Sequence, residues 1–213
     1  MAPSEYILYK VPRSHHSNLM CAMDVETTGL EGGFHEIVQI AIQPLDCNYE
    51  PREGIHPFYL EMKPEYPERA SKKAMQVNGM DLTYLSMFGT PQETATDMLI
   101  DWFKSLKLAG NSKIIPLAHN WPFDYSHISS WLGPDLMSTM FSPHARDSMQ
   151  LAITIGDVFS ERGDRSPFSL YNLKYLCRFY GIPYNPETHD ALHDSLTTAK
   201  LYIQLLNDLR GLL

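Results

Sequence analysis

The stretch Met20 to Leu30, MCAMDVETTGL, constrains this chain more than any other. It is a short apolar run that delivers Asp24 and Glu26 and then breaks at Gly29. In an extended strand successive side chains alternate faces, so Asp24 and Glu26 point the same way while Val25 enters the core. Two carboxylates on one face repel each other unless a positive charge lies between them. A hard divalent cation held by oxygen ligands converts that repulsion into binding energy. Thr27, Thr28 and Gly29 come next in a turn, whose hydroxyls and backbone N–H groups suit a phosphate or sugar. Alone, Asp-x-Glu at a strand end also describes an ordinary solvated strand, so its meaning depends on the acids and histidines elsewhere in the chain.

The length of 213 residues, 44% of them hydrophobic, suits one sizeable core. Seventeen Lys and Arg against 25 Asp and Glu give a formal charge of −8, which disfavours charge-driven coating of nucleic acid. A nucleic-acid enzyme stays open, because cations bound to acidic ligands supply positive charge locally. Cys21, Cys47 and Cys177 are too scattered for a disulfide framework or a Cys-x-x-Cys zinc site, and are expected as free thiols. The N-terminus lacks the apolar region of a signal peptide, and no run approaches the roughly 20 residues of a membrane span. A soluble, cytoplasmic protein without membrane association is the expectation.

Residues 1–18 are polar, with His15 and His16 adjacent, and read as an arm. Residues 19–213 read as one mixed α/β domain without repeats or linkers. Its first three strands are the opening stretch, Glu36 to Gln43 as a strand buried on both faces, and His56 to Met62. A short helix over Ala70 to Val77 ends at Asn78-Gly79, and a longer one covers Pro91 to Leu108. Lys113 to Leu117 is a fourth strand, running into the loop His119-Asn120-Trp121-Pro122. Helices are expected over Phe123–Leu132, Arg146–Ile155, Ser166–Tyr180 and Ala191–Leu209.

Asp124 falls in AHNWPFDYSHI, after a strand and in the first turn of a helix. A carboxylate there gains from the helix dipole alone, yet the carboxyl ends of strands are also where α/β sheets place ligands. His189 and Asp194 lie in THDALHDSLTTAKLY. Five helical positions would leave them about 140° apart. The spacing therefore puts His189 on a loop, Asp190 at the N-cap and Asp194 in the opening turns. A histidine so placed is free to serve as a general base, since it titrates near neutrality.

Together, Asp24-x-Glu26 with Thr27-Thr28-Gly29, Asn120-x-x-Phe123-Asp124 and His189-x4-Asp194 resemble the DEDDh branch of the DnaQ-like 3′-to-5′ exonucleases. Within that family ribonuclease T is the nearest in look. The resemblance implies a ribonuclease H-like mixed sheet flanked by helices. It also implies that Asp24, Glu26, Asp124 and Asp194 hold two Mg²⁺ or Mn²⁺ ions, about 3.5 to 4 Å apart, while His189 takes the proton of the attacking water. The implied partner is a single-stranded DNA or RNA 3′ end, released as nucleoside 5′-monophosphates. Thr27, Thr28, Gly29, Leu30, Asn78, Asn120, Phe123 and Trp121 are the implied substrate contacts, Leu30 packing on the terminal base and Trp121 either stacking on a base or packing under Pro122. DNA processing is the expected role, RNA 3′-end trimming the alternative, and a non-catalytic nucleic-acid-binding module on the same fold the rival. No apolar stripe in the sequence decides between a monomer and a homodimer.

Overall fold

The computed structural model describes residues 18–184 and 189–212. The expected arm, with His15 and His16, lies outside them except for Asn18, whose side-chain oxygen accepts from Lys113 N–H (2.8 Å). Five strands form one sheet: β1 (Leu19–Thr27), β2 (Ile37–Pro44), β3 (Phe58–Glu61), β4 (Ile114–Ala118) and β5 (Arg146–Asp147). Their order is β3-β2-β1-β4-β5. The first three form an antiparallel meander, while β4 pairs parallel with β1 and β5 parallel with β4. β2 is buried at all eight positions, in keeping with a run that has no polar face.

Alternation along β1 assigns its two faces. Cys21, Met23 and Val25 enter the main core with Ile40 and Ile42 of β2, Ala95 and Leu99 of α3 (Gln92–Ser105), and Ile128 of α4 (Trp121–Met140). Ala22 faces the other way, packing with Leu117 against Ala199 and Tyr202 of α7 (Ala191–Leu212). Asp24 and Glu26 share the parity of Ala22, so they belong to the face covered by α7. The buried small residues Ala191, Ser195, Thr198 and Ala199 let that helix approach the sheet closely.

The remaining helices are α1 (Lys72–Asn78), α2 (Leu82–Phe88), α5 (Ser148–Glu161) and α6 (Leu173–Phe179). α1 ends at Gly79, whose φ of 69° places it in the left-handed region that favours glycine. α4 extends past the expected Leu132 to Met140, through a break at Gly133 (φ 72°, ψ 170°) that permits Pro134 to follow. Two expectations are corrected. Arg146 and Asp147 belong to β5, and the helix begins at Ser148 because the Asp147 carboxylate caps it through Met149 and Gln150 N–H. The helix expected over Ser166–Tyr180 is confined to Leu173–Phe179, since the Asn172 side chain caps it and its upstream residues are held by Ser166 and Tyr175 hydroxyls. α2 is an addition to the expected elements; Asp81 caps it, and it exposes Tyr84, Met87 and Phe88. Cys21 and Cys177 are buried thiols. Among the described residues no helix is long and apolar enough to cross a membrane.

Candidate active site

The pairing of β1 with β4 stops at Ala22–Leu117, whereas its pairing with β2 continues to Thr27. Asp24 and Glu26 therefore project from a strand that has outrun its parallel neighbour. This opens a crevice at the carboxyl ends of β1, β4 and β5, the place where open α/β sheets bind ligands. α4 begins on one side of it and α7 on the other.

Asp124 arrives in the first turn of α4 and is buried. That turn is built without a side-chain cap of its own. Asn120 takes left-handed backbone angles (φ 69°, ψ 54°), and its N–H and that of Trp121 donate to the two carboxylate oxygens of Asp147 (3.1 and 2.8 Å). The same Asp147 carboxylate caps α5, so one side chain fixes the start of two helices.

Asp194 arrives in the opening turns of α7, as the spacing required. Asp190 is the N-cap: its Oδ1 accepts from His193 N–H (2.9 Å) and its carbonyl from Asp194 N–H (2.8 Å). His189 precedes the helix and presents Nδ1 3.4 Å from Asp194 Oδ2. Glu26, His189 and Asp194 each offer a ligand atom within 4.8 Å of the others. The structure thus brings all five residues of the motif to one crevice.

Electrostatics shows how closely they are gathered. Burial, followed by the charges of Asp124, Glu26, Asp194 and Asp190, holds the Asp24 carboxyl well above the usual carboxylate range. Burial likewise raises Asp124, against backbone N–H groups of Asp124 and Val25 that favour its charge. Glu26 is pushed up to about 7, chiefly by burial, with His189 opposing and Asp194 and Asp190 adding to the rise. His189 moves up as well, first through its hydrogen bond to Asp194 and then through the Glu26 and Asp194 charges, against burial.

Oδ1 of Asp124 and Oδ1 of Asp194 are buried and have no hydrogen-bond partner among the described residues. A buried oxygen left unpaired costs about 1 to 3 kcal/mol, more when charged. Four acidic side chains with two such oxygens fit a hard divalent cation.

The expected substrate contacts divide into two groups. Leu30 is 83% exposed and stands beyond the turn after β1, with Val77 of α1 also exposed. Thr27, Thr28 and Asn78 are buried and their polar groups are engaged internally. Thr27 Oγ1 donates to the Gly29 carbonyl (2.6 Å), Thr28 Oγ1 accepts from Glu36 N–H (2.9 Å), and Asn78 Nδ2 donates to the Thr27 carbonyl (3.1 Å). These three shape the turn, and the hydroxyls expected to meet a ligand point inward. Gly29 permits the turn to lie on His35, because a Cβ there would sit 2.1 Å from the imidazole. Phe123 and Trp121 are partly buried, packed on the main core, with Trp121 also against the Tyr125 ring.

Two further residues reach the crevice: His119, already noted in the loop after the fourth strand, and Tyr184, which the sequence did not mark. Tyr184 sets its hydroxyl 3.5 Å from Asp194 Oδ2. His119 lies at the end of β4 with Nδ1 2.8 Å from Ser148 Oγ and a buried Nε2 that lacks a partner among the described residues. The only signal for Tyr184 is an aromatic shortly before His189, a position that equally suits packing.

The RNase_T family model, described as an exonuclease, matches residues 21–202. Ribonuclease T of Shewanella oneidensis is 29% identical over 194 residues, covering 87% of this chain and 80% of the relative. Ribonuclease T of Yersinia pseudotuberculosis is 29% identical over 192 residues, covering 87% and 83%. Among solved structures, the nuclease domain of 3′hExo, a DEDDh family member bound to rAMP, superposes with a TM-score of 0.63 at 19% identity, covering 90% of this chain and 92% of that one. E. coli exonuclease I in complex with a dT13 oligonucleotide superposes with a TM-score of 0.64 at 16% identity; this chain covers 42% of it. Both neighbours share the ribonuclease H-like fold expected from the sequence.

Proposed function

The chain belongs to the RNase_T exonuclease family and is a 3′-to-5′ exonuclease; from that premise we propose that it releases nucleoside 5′-monophosphates one at a time from single-stranded ends, DNA being the expected substrate. The observation that carries the metal-dependent reading is the pair of buried carboxylate oxygens, Asp124 Oδ1 and Asp194 Oδ1, left without partners beside Asp24 and Glu26. Asp24, Glu26, Asp124 and Asp194 would hold two Mg²⁺ or Mn²⁺ ions, which supply Lewis-acid stabilisation of the charge that builds on the phosphate and acidify bound water.

The protein's own groups do the rest. His189 accepts the proton of the attacking water, its position before α7 leaving the ring free to approach from the open side of the crevice. Asp194 Oδ2 orients that ring through Nδ1 from 3.4 Å, leaving the other nitrogen to take the proton. The turn from Thr27 to Leu30, fixed by Asn78 and by the Thr27 hydroxyl, offers its backbone to the terminal nucleotide while Leu30 packs on the base. Holding water, phosphate and base in one geometry is worth several kcal/mol of barrier.

RNA trimming is the second reading. What favours it is that the sequence relatives at 28 to 29% identity are ribonucleases by name. Matched 5′-labelled DNA and RNA oligonucleotides incubated with Mg²⁺ or Mn²⁺ test both readings. A ladder that shortens by single nucleotides and disappears in Asp24→Ala is expected. Intact activity in that variant overturns the carboxylate assignment, and the preferred strand decides between DNA and RNA.

A further inference from the structure

Beside the crevice, a chain of hydrogen bonds ties the start of α7 to the meander. Gln39 lies on β2 directly opposite Glu26 and is buried. Its Oε1 accepts from Ala191 N–H (2.8 Å), and its Nε2 donates to the Tyr59 hydroxyl (2.9 Å). Tyr59 stands on β3 and donates in turn to Asp190 Oδ2 (2.6 Å). The other Asp190 oxygen caps α7 through His193 N–H.

Every donor and acceptor in this chain has a defined direction. The buried amide of Gln39 is satisfied at both ends, as a buried amide must be. A helix N-cap needs only one carboxylate oxygen, so capping alone does not explain why the second is held by a phenol from the far edge of the sheet. The bond to Tyr59 holds the Asp190 side chain, and with it one end of the peptide that joins Asp190 to the residue before it. That residue is His189.

On the reading of His189 as the general base, we propose that Tyr59 is a positioning residue for it: through Asp190 the Tyr59 hydroxyl latches the His189 segment to the sheet and holds the imidazole over the carboxylate crevice. The latch spans β3 and α7, elements that approach from opposite ends of the chain. It sets the base relative to Glu26 because Gln39 anchors Tyr59 and the first N–H of α7 from the position paired with Glu26. Tyr59 touches no reacting atom.

The test is a double-mutant cycle on the full chain. Single-turnover rates on a 5′-labelled oligonucleotide with Mn²⁺ are compared for wild type, Tyr59→Phe, His189→Ala and the double variant. Tyr59→Phe is expected to slow the chemical step about tenfold, the scale on which misplacement of a general base acts, with KM and the calorimetric affinity for Mn²⁺ unchanged. In the His189→Ala background the same substitution is expected to change nothing. Hydrogen exchange reads the link without catalysis: the amides of Ala191 and His193 should exchange several-fold faster in Tyr59→Phe. A wild-type rate in Tyr59→Phe, an equal loss in both backgrounds, or unchanged exchange overturns the latch. His189→Ala retaining the wild-type rate overturns instead the assignment of the base, a separate result from failure of the latch.

Discussion

Glu26 gives the sharpest quantitative prediction, because its carboxyl is pushed from the ordinary 4.5 up to about 7 in the folded chain without metal. A carboxyl whose folded pKa lies above its unfolded value binds more protons when folded, so stability falls as pH rises. The contribution is fully present below 4.5 and is lost as pH climbs through 7. The whole interval corresponds to about 3 kcal/mol, of which about 2.5 kcal/mol falls between pH 5 and pH 8. Asp24, Asp124 and His189 are also raised, so they act in the same direction. Thermal unfolding of chelator-treated wild type and Glu26→Gln at pH 5 and pH 8 isolates the one residue. The variant should gain roughly 5 to 10 °C on wild type as pH rises between those values, at about 2 to 4 °C per kcal/mol for a chain of this size. Saturating Mn²⁺ should reverse the ranking at pH 8 by stabilising wild type more than the variant. Parallel pH dependences in the two metal-free proteins would show that Glu26 is not raised as described.

Asp147→Ala removes the acceptor shared by α4 and α5, and should cost about 2 to 3 kcal/mol, the sum of two lost caps. Urea unfolding reads that loss, and activity should fall with it because Asp124 rides on the α4 turn. Leu30→Ala should leave the unfolding midpoint within about 1 °C, the residue being exposed, while KM for a single-stranded oligonucleotide rises several-fold. Gly29→Ala should lower both stability and activity, since its Cβ meets the His35 ring; a fully active, equally stable variant would show that the turn is not held as described.

Where the candidate site residues fall along the chain follows from local rules, as does the ribonuclease H-like class of the sheet, whereas several element boundaries do not. Asp24 and Glu26 were legible because strand alternation is a local rule, and the His189–Asp194 spacing because five residues cannot keep one face of a helix. Both follow from backbone geometry alone. Leu170 and Tyr180 share a helical stripe with Leu173 and Leu176, but apolar periodicity does not register the Asn172 cap that starts α6 late. β5 is two residues long and exists only because β4 lies beside it, so no periodicity could reveal it. The inward turn of the Thr27 and Thr28 hydroxyls was hidden for another reason: their partners, Gly29 carbonyl and Glu36 N–H, are set by the path of the loop. Gln39, Tyr59 and the start of α7 at Ala191 come together from positions up to 152 residues apart, and only tertiary packing makes one network of them.

Calorimetric titration of the protein with Mn²⁺ tests the divalent cation site of the four carboxylates without reference to substrate or product. Two ions bound per chain in wild type, with affinity reduced at least tenfold in Asp124→Asn, is the result expected from an oxygen left buried and unpaired at that position. No binding heat in wild type, or equal affinity in the variant, would contradict it.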